Sequence, residues 1–101
     1  MAIREERNGN DLKILLEGEL NTMTAPELSE CLEPSLCEID SLEIDMKNIE
    51  YIASSGIRVL MWAMKTLKAD GKSFKITNCN DIVWETFEMT GLDDVFDISR
   101  A

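Results

Sequence analysis

Apolar and polar positions change period several times along the chain, and each change marks an element. Ala2 to Arg7 and Asp11 to Glu17 read as two short strands, with Leu12, Ile14 and Leu16 alternating toward one face. Asn8-Gly9-Asn10 lies between them, and Asn-Gly between such runs predicts a hairpin. Alternation returns at Ser41 to Met46, where Leu42, Ile44 and Met46 oppose Glu43 and Asp45, and again at Ser73 to Thr77 with Phe74 and Ile76. Helical spacing separates these strands. Ala25, Leu28, Cys31 and Leu32 form one stripe; Ile57, Leu60, Met61, Met64 and Leu67 form a longer one; Ile82, Val83 and Phe87 mark a third between Asp81 and Thr90. Leu92, Val95, Phe96 and Ile98 then close the chain over the core.

Local signals set the boundaries. Thr24 and Glu27 have capping-box spacing and Pro26 falls in the first turn, so a helix should start at about Ala25, and Pro34 should end it near Glu33. Ser54 and Ser55 stand where N-cap residues stand, with Gly56 leaving the following backbone bare. Asp70-Gly71-Lys72 makes a C-terminal turn, Asn78 to Asp81 offers caps for the last helix, and Gly91 stops it. The order hairpin, helix, strand, helix, strand, helix requires crossover connections. It predicts a single α/β domain over 1–101, a mixed β-sheet with an N-terminal antiparallel hairpin, later parallel strands and crossover helices. Functional loops of such sheets lie past the carboxyl ends of the strands, which makes Asn21 and Ser54 neighbours.

Composition narrows the chemistry. The chain has 101 residues, 45% of them apolar, and twenty acids against ten bases leave a net charge of −10. A surface this acidic repels a phosphate backbone, which argues against nucleic acid as a partner. No apolar run approaches a membrane span or a signal peptide, so a cytoplasmic protein with no direct membrane insertion is expected. Cys31, Cys37 and Cys79 have no metal-ligand spacing and there is no histidine, which leaves free, mostly buried thiols, no metal and no histidine-based catalysis. Nucleotide-binding glycine motifs are absent too, so neither a cofactor nor an enzyme activity is expected.

The informative stretch is Ile49 to Ala69. An apolar run delivers Ser54 and Ser55 to the positive end of a helix macrodipole, a good place for an anionic group; the plainer alternative is that one serine simply caps the helix. Arg58, Trp62, Lys65 and Ala69 lie opposite the apolar stripe. Trp62 either stands exposed beside two cations, as an interface anchor would, or packs under the adjoining helix. Trp84, Met46, Met61 and Met64 are read as core.

In order and spacing, Gly18-Glu19-Leu20 followed by Thr24-Ala25, Leu42 to Met46 leading through Ile49 and Ile52 into Ser54-Ser55-Gly56-Ile57, Asp70-Gly71-Lys72, and Gly91-Leu92 with Phe96 and Ile98 resemble a STAS domain of the bacterial anti-sigma-factor antagonist type. The resemblance covers nearly the whole chain. It implies a partner-switching transcription regulator that binds a serine-kinase anti-sigma factor and frees a sigma factor. It also implies a phosphoprotein: the kinase inactivates it at the first serine, here Ser54 rather than Ser55, and a PP2C-type phosphatase restores it. The partner surface implied by the match and by the helix face comprises Asn21, Thr22, Ala53, Ser54, Ser55, Gly56, Arg58, Trp62 and Lys65. Ala53 and Asn21 stand where the family commonly has aspartate. An alternative within the same resemblance is an unphosphorylated scaffold, or a cytosolic subunit of a lipid or anion transport complex.

Overall fold

The computed structural model describes all 101 residues. Strands β1 (Ala2–Asn8) and β2 (Asp11–Leu20) form the hairpin, α1 (Ala25–Leu32) leads to β3 (Ser41–Ile52), α2 (Ser54–Ala69) to β4 (Ser73–Cys79), and α3 (Asp81–Met89) with a short 3-10 turn to β5 (Ile98–Arg100). The five strands lie in sequence order, β1 antiparallel to β2 and the rest parallel, as the crossover argument requires. Leu12, Ile14 and Leu16 of β2, Leu42, Ile44 and Met46 of β3, and Phe74 and Ile76 of β4 turn to one face. There they join Leu28 and Leu32 of α1, Leu60, Met64 and Leu67 of α2, and Val83 and Phe87 of α3 in one continuous core. Burying that apolar area against the helices is what holds the layers together.

β3 continues six residues past Met46, where the alternation stops. It runs on because it bulges twice. Asp45 to Asn48 opposes Leu15 to Glu17, and Ile49 to Tyr51 opposes Gly18 to Glu19, so β3 uses one extra residue each time. The bulges keep Met46, Ile49 and Ile52 all facing inward while breaking the two-residue period. β5 is a three-residue edge strand that carries no period of its own. Other expectations need correction at particular residues. Ile82 is on the outer side of α3 and 52% exposed, Cys37 is exposed rather than buried, and Trp84 is half-buried with the Arg100 guanidinium 4.5 Å from its ring centroid.

The opposite sheet face is polar and ionic. Asp45, only 7% exposed, accepts hydrogen bonds from the Lys47 backbone N–H at 2.9 Å and the Asn78 amide at 2.8 Å, with the Lys13 ammonium 3.9 Å away. Asn78 has a positive φ of 54° and sits where the pairing of β4 with β5 shifts register, so the carboxylate pins the bend that turns Cys79 inward. Asp45→Ala should lower stability by about 1–3 kcal/mol in urea unfolding, because two part-buried donors lose their acceptor.

Burial pushes the Cys79 thiol up to about 11 from 9.0, with Asp45 adding to the rise and a Ser99 backbone hydrogen bond opposing it. The native thiol thus keeps its proton where the unfolded one loses it. Its contribution is complete below pH 9 and declines as pH rises toward 11. Cys79→Ala should flatten that part of the stability-pH curve, read as the difference between the two proteins across the alkaline window.

Candidate functional site

β2 and β3 end side by side. Leu20 pairs with Ile52, and the next amide, Ala53 N–H, donates to the Leu20 carbonyl at 2.8 Å. α2 therefore starts directly over the end of β2. A Cβ on Gly56 would lie 2.5 Å from Leu20 Cγ and 2.9 Å from Leu20 Cδ2. The glycine is buried and serves this approach of helix to strand; it does not merely clear space beside the serines.

Neither serine is the N-cap. That position belongs to Ala53, in extended conformation, and no side chain caps the helix. Ser54 and Ser55 occupy the first turn, above the first intrahelical bond from Ile57 N–H to the Ala53 carbonyl at 3.1 Å. Their amides and that of Gly56 belong to the unpaired donors of a helix start, at the positive end of a 16-residue dipole with no acid in its first turn. The two hydroxyls differ. Ser55 is half-buried and its Oγ lies 3.3 Å from Thr22 Oγ1; Ser54 is exposed and its hydroxyl bonds to nothing in the chain.

Thr22 belongs to the loop between β2 and α1. Asn21 Oδ1 accepts from the N–H groups of Met23 at 2.9 Å and Thr24 at 3.1 Å, and Thr24 Oγ1 accepts from Asn21 N–H and donates to the Glu19 carbonyl at 2.7 Å. The Thr24–Glu27 capping box therefore does not form. Thr24 is in helical rather than extended conformation and its hydroxyl turns back into the loop. The two segments do meet, through Thr22 and Ser55. Asn21 explains itself locally, since its job is to accept two amide hydrogens, and an amide oxygen does that without adding negative charge.

The outward face of α2 carries Arg58, Trp62 and Lys65, all exposed. Trp62, 37% exposed, lines a shallow groove with Ile57, Arg58, Met61, Lys65 and Thr66. Of the two readings of Trp62, the surface one holds. Ile57 and Met61, assigned to the core stripe, are only half-buried and line the groove, while Gly56 and Ala63 are buried. Two exposed apolar residues near the serines escaped the sequence reading. Met23, 85% exposed, lies in the Asn21–Thr24 loop, and Tyr51, 50% exposed, stands two residues before Ala53. Their only signal was an apolar side chain out of phase with polar neighbours.

The profile of the STAS domain matches residues 2–101. The chain belongs to the STAS domain family. Among curated relatives, the anti-sigma-B factor antagonist of Bacillus subtilis is 34% identical over 94 residues, which covers 93% of this chain and 86% of the relative. Among solved STAS-like folds, a putative anti-sigma factor antagonist from Thermotoga maritima superposes with a TM-score of 0.90 at 18% identity, covering 98% of this chain and 86% of that one. The Bacillus cell fate determinant SpoIIAA in its phosphorylated form superposes with a TM-score of 0.78 at 17% identity, covering 97% and 91%. In this STAS domain the Ser-Ser-Gly element thus lies at the carboxyl ends of the parallel strands, on the first turn of α2.

Gly56→Ala should destabilise the fold by about 1–3 kcal/mol in urea unfolding, since the clash with Leu20 outweighs the helix propensity of alanine, worth about 1 kcal/mol. A variant as stable as the parent would show that the contact with Leu20 is slack.

Proposed function

We propose that this STAS domain is an anti-sigma-factor antagonist. It binds a serine-kinase anti-sigma factor, so freeing a sigma factor, and is switched off when the kinase phosphorylates Ser54. The relative from Bacillus subtilis, named an anti-sigma-B factor antagonist, supports the role. The observation that carries the switch is the contrast between the serines: Ser54 is exposed and unbonded, whereas Ser55 is half-buried against Thr22.

Transfer of a phosphoryl group needs an accessible hydroxyl in line with the donor and a group to take its proton. Ser54 supplies the hydroxyl. The residue before it is Ala53, the first turn of α2 holds no acid, and residue 21 is an amide, so the base comes from the kinase. A PP2C-type phosphatase restores the hydroxyl by hydrolysis. On this reading the domain performs no catalysis of its own; it is the substrate and the ligand.

Phosphoserine adds about −1.5 to −2 charges, and at a helix N-terminus unpaired amides and the dipole accommodate them. The fold survives. Docking does not, because a surface matched to a neutral hydroxyl would have to bury a dianion without a partner, a cost of several kcal/mol.

Phosphopeptide mapping of protein from its native cells, sampled before and after stress, tests the assignment. Phosphate on Ser54 that falls at the onset of stress is expected, with Ser55 unmodified. Unmodified Ser54 in every condition would leave a constitutive scaffold or a transporter subunit instead.

A further inference from the structure

The charges of this protein are segregated. α2 holds three cations, Arg58, Lys65 and Lys68, and no acid, so all twenty acids lie elsewhere in the chain with the remaining seven bases. Most cations outside α2 are engaged. Arg7 is 3.7 Å from Glu38, Lys13 and Lys75 are each 3.7 Å from Glu43, Arg100 is 3.7 Å from Asp81, and the Lys72 ammonium donates to the Leu36 carbonyl. Arg58 and Lys65 have no acidic partner. They line the groove together with Ile57, Met61 and Trp62. The groove therefore combines an apolar surface with two unpaired cations, on the one helix where an acidic ligand meets no like charge from its own element.

We propose that this groove docks an acidic segment of the partner, with one apolar side chain seated against Met61 and Trp62 and carboxylates paired to Arg58 and Lys65. The proposal rests on the antagonist reading for the partner's identity, but not for the chemistry of the groove. Beyond about 10 Å the net negative charge of the protein repels such a segment, so it engages only where screening leaves the local cations dominant. That fixes register: the same segment placed over α1 or α3 faces Glu27 and Glu30, or Asp81, Glu85 and Glu88. It also links the groove to Ser54. Ser54, Arg58 and Trp62 follow at i, i+4 and i+8 on one face of α2, so a phosphate on Ser54 lies within reach of the Arg58 guanidinium and withdraws it from the partner.

Two measurements test this. In the first, the amide resonances of the labelled domain are followed as a designed twelve-residue peptide of glutamate and leucine is added, with a peptide of the same length in which glutamine replaces glutamate as control. Saturable shifts confined to residues 57–66 with the acidic peptide, and weaker by about tenfold with the neutral one, are expected. No binding, shifts elsewhere, or equal binding of both peptides would overturn the proposal, whatever the identity of the partner. In the second, the kinase that phosphorylates Ser54 is titrated with the parent domain and with Arg58→Glu, Lys65→Glu and Arg4→Glu, each checked for native circular dichroism. Arg58→Glu and Lys65→Glu should each weaken binding about tenfold or more and flatten its salt dependence, while Arg4→Glu, on β1 and outside the groove, should not. Equal losses in all three would reduce the effect to net charge and overturn the groove. Failure to find any such kinase would count against the antagonist reading alone, because the peptide experiment does not use it.

Discussion

The closeness of the first turn of α2 to the end of β2 is the constraint on which the rest depends. Ala53 N–H prolongs the sheet by one bond to the Leu20 carbonyl, and Gly56 lets the helix descend onto the Leu20 side chain. These two contacts fix the direction in which Ser54 leaves the surface. They also explain why the serines are left free of capping duty: the strand delivers the chain into the helix so directly that Ala53, with no polar side chain, is the N-cap. The helix start is thereby left with amides that no side chain caps. A cap would have consumed the feature that makes the position receptive to an added anion.

The loop across from it is built for stillness rather than for charge. Asn21 and Thr24 bond to one another and to neighbouring backbone groups, and Thr22 meets Ser55, so one hydroxyl of the pair is held and the other is presented. The absence of carboxylates at residues 21 and 53 then has a consistent consequence. No acid stands at residue 21, at residue 53 or in the first turn of α2, and the nearest charge along the helix on the face of Ser54 is the cation Arg58. A regulator that works by adding negative charge gains contrast from such a background, since little else there changes with the modification.

Much of this was legible in the sequence, for reasons that particular elements make plain. Strict alternation in β2 and β4, the Asn-Gly hairpin and the spacing of Leu60, Met64 and Leu67 survive because each is a local signal that the fold does not override. What failed was whatever depends on a neighbour. The capping box at Thr24 lost to the hydrogen bonds offered by Asn21 and Glu19; the second half of β3 hid behind two bulges; and β5 is a strand only because β4 is beside it. Gly56 reads in the sequence as clearing space beside the serines, whereas the side chain it accommodates, Leu20, is 36 residues away in sequence. Met23 and Tyr51 were passed over because exposure is a tertiary property.

On the proposed reading, Ser54 separates folding from recognition: its modification leaves the domain intact and abolishes docking. Phosphoserine placed at residue 54 by expanded-code translation allows unfolding stability and kinase binding to be measured on one preparation. Stability equal to or above that of the unmodified domain, together with loss of binding by at least a hundredfold, is the predicted result. Retained binding would contradict the switch, and a parallel collapse of stability would show that the phosphate acts by unfolding the domain rather than by blocking its surface.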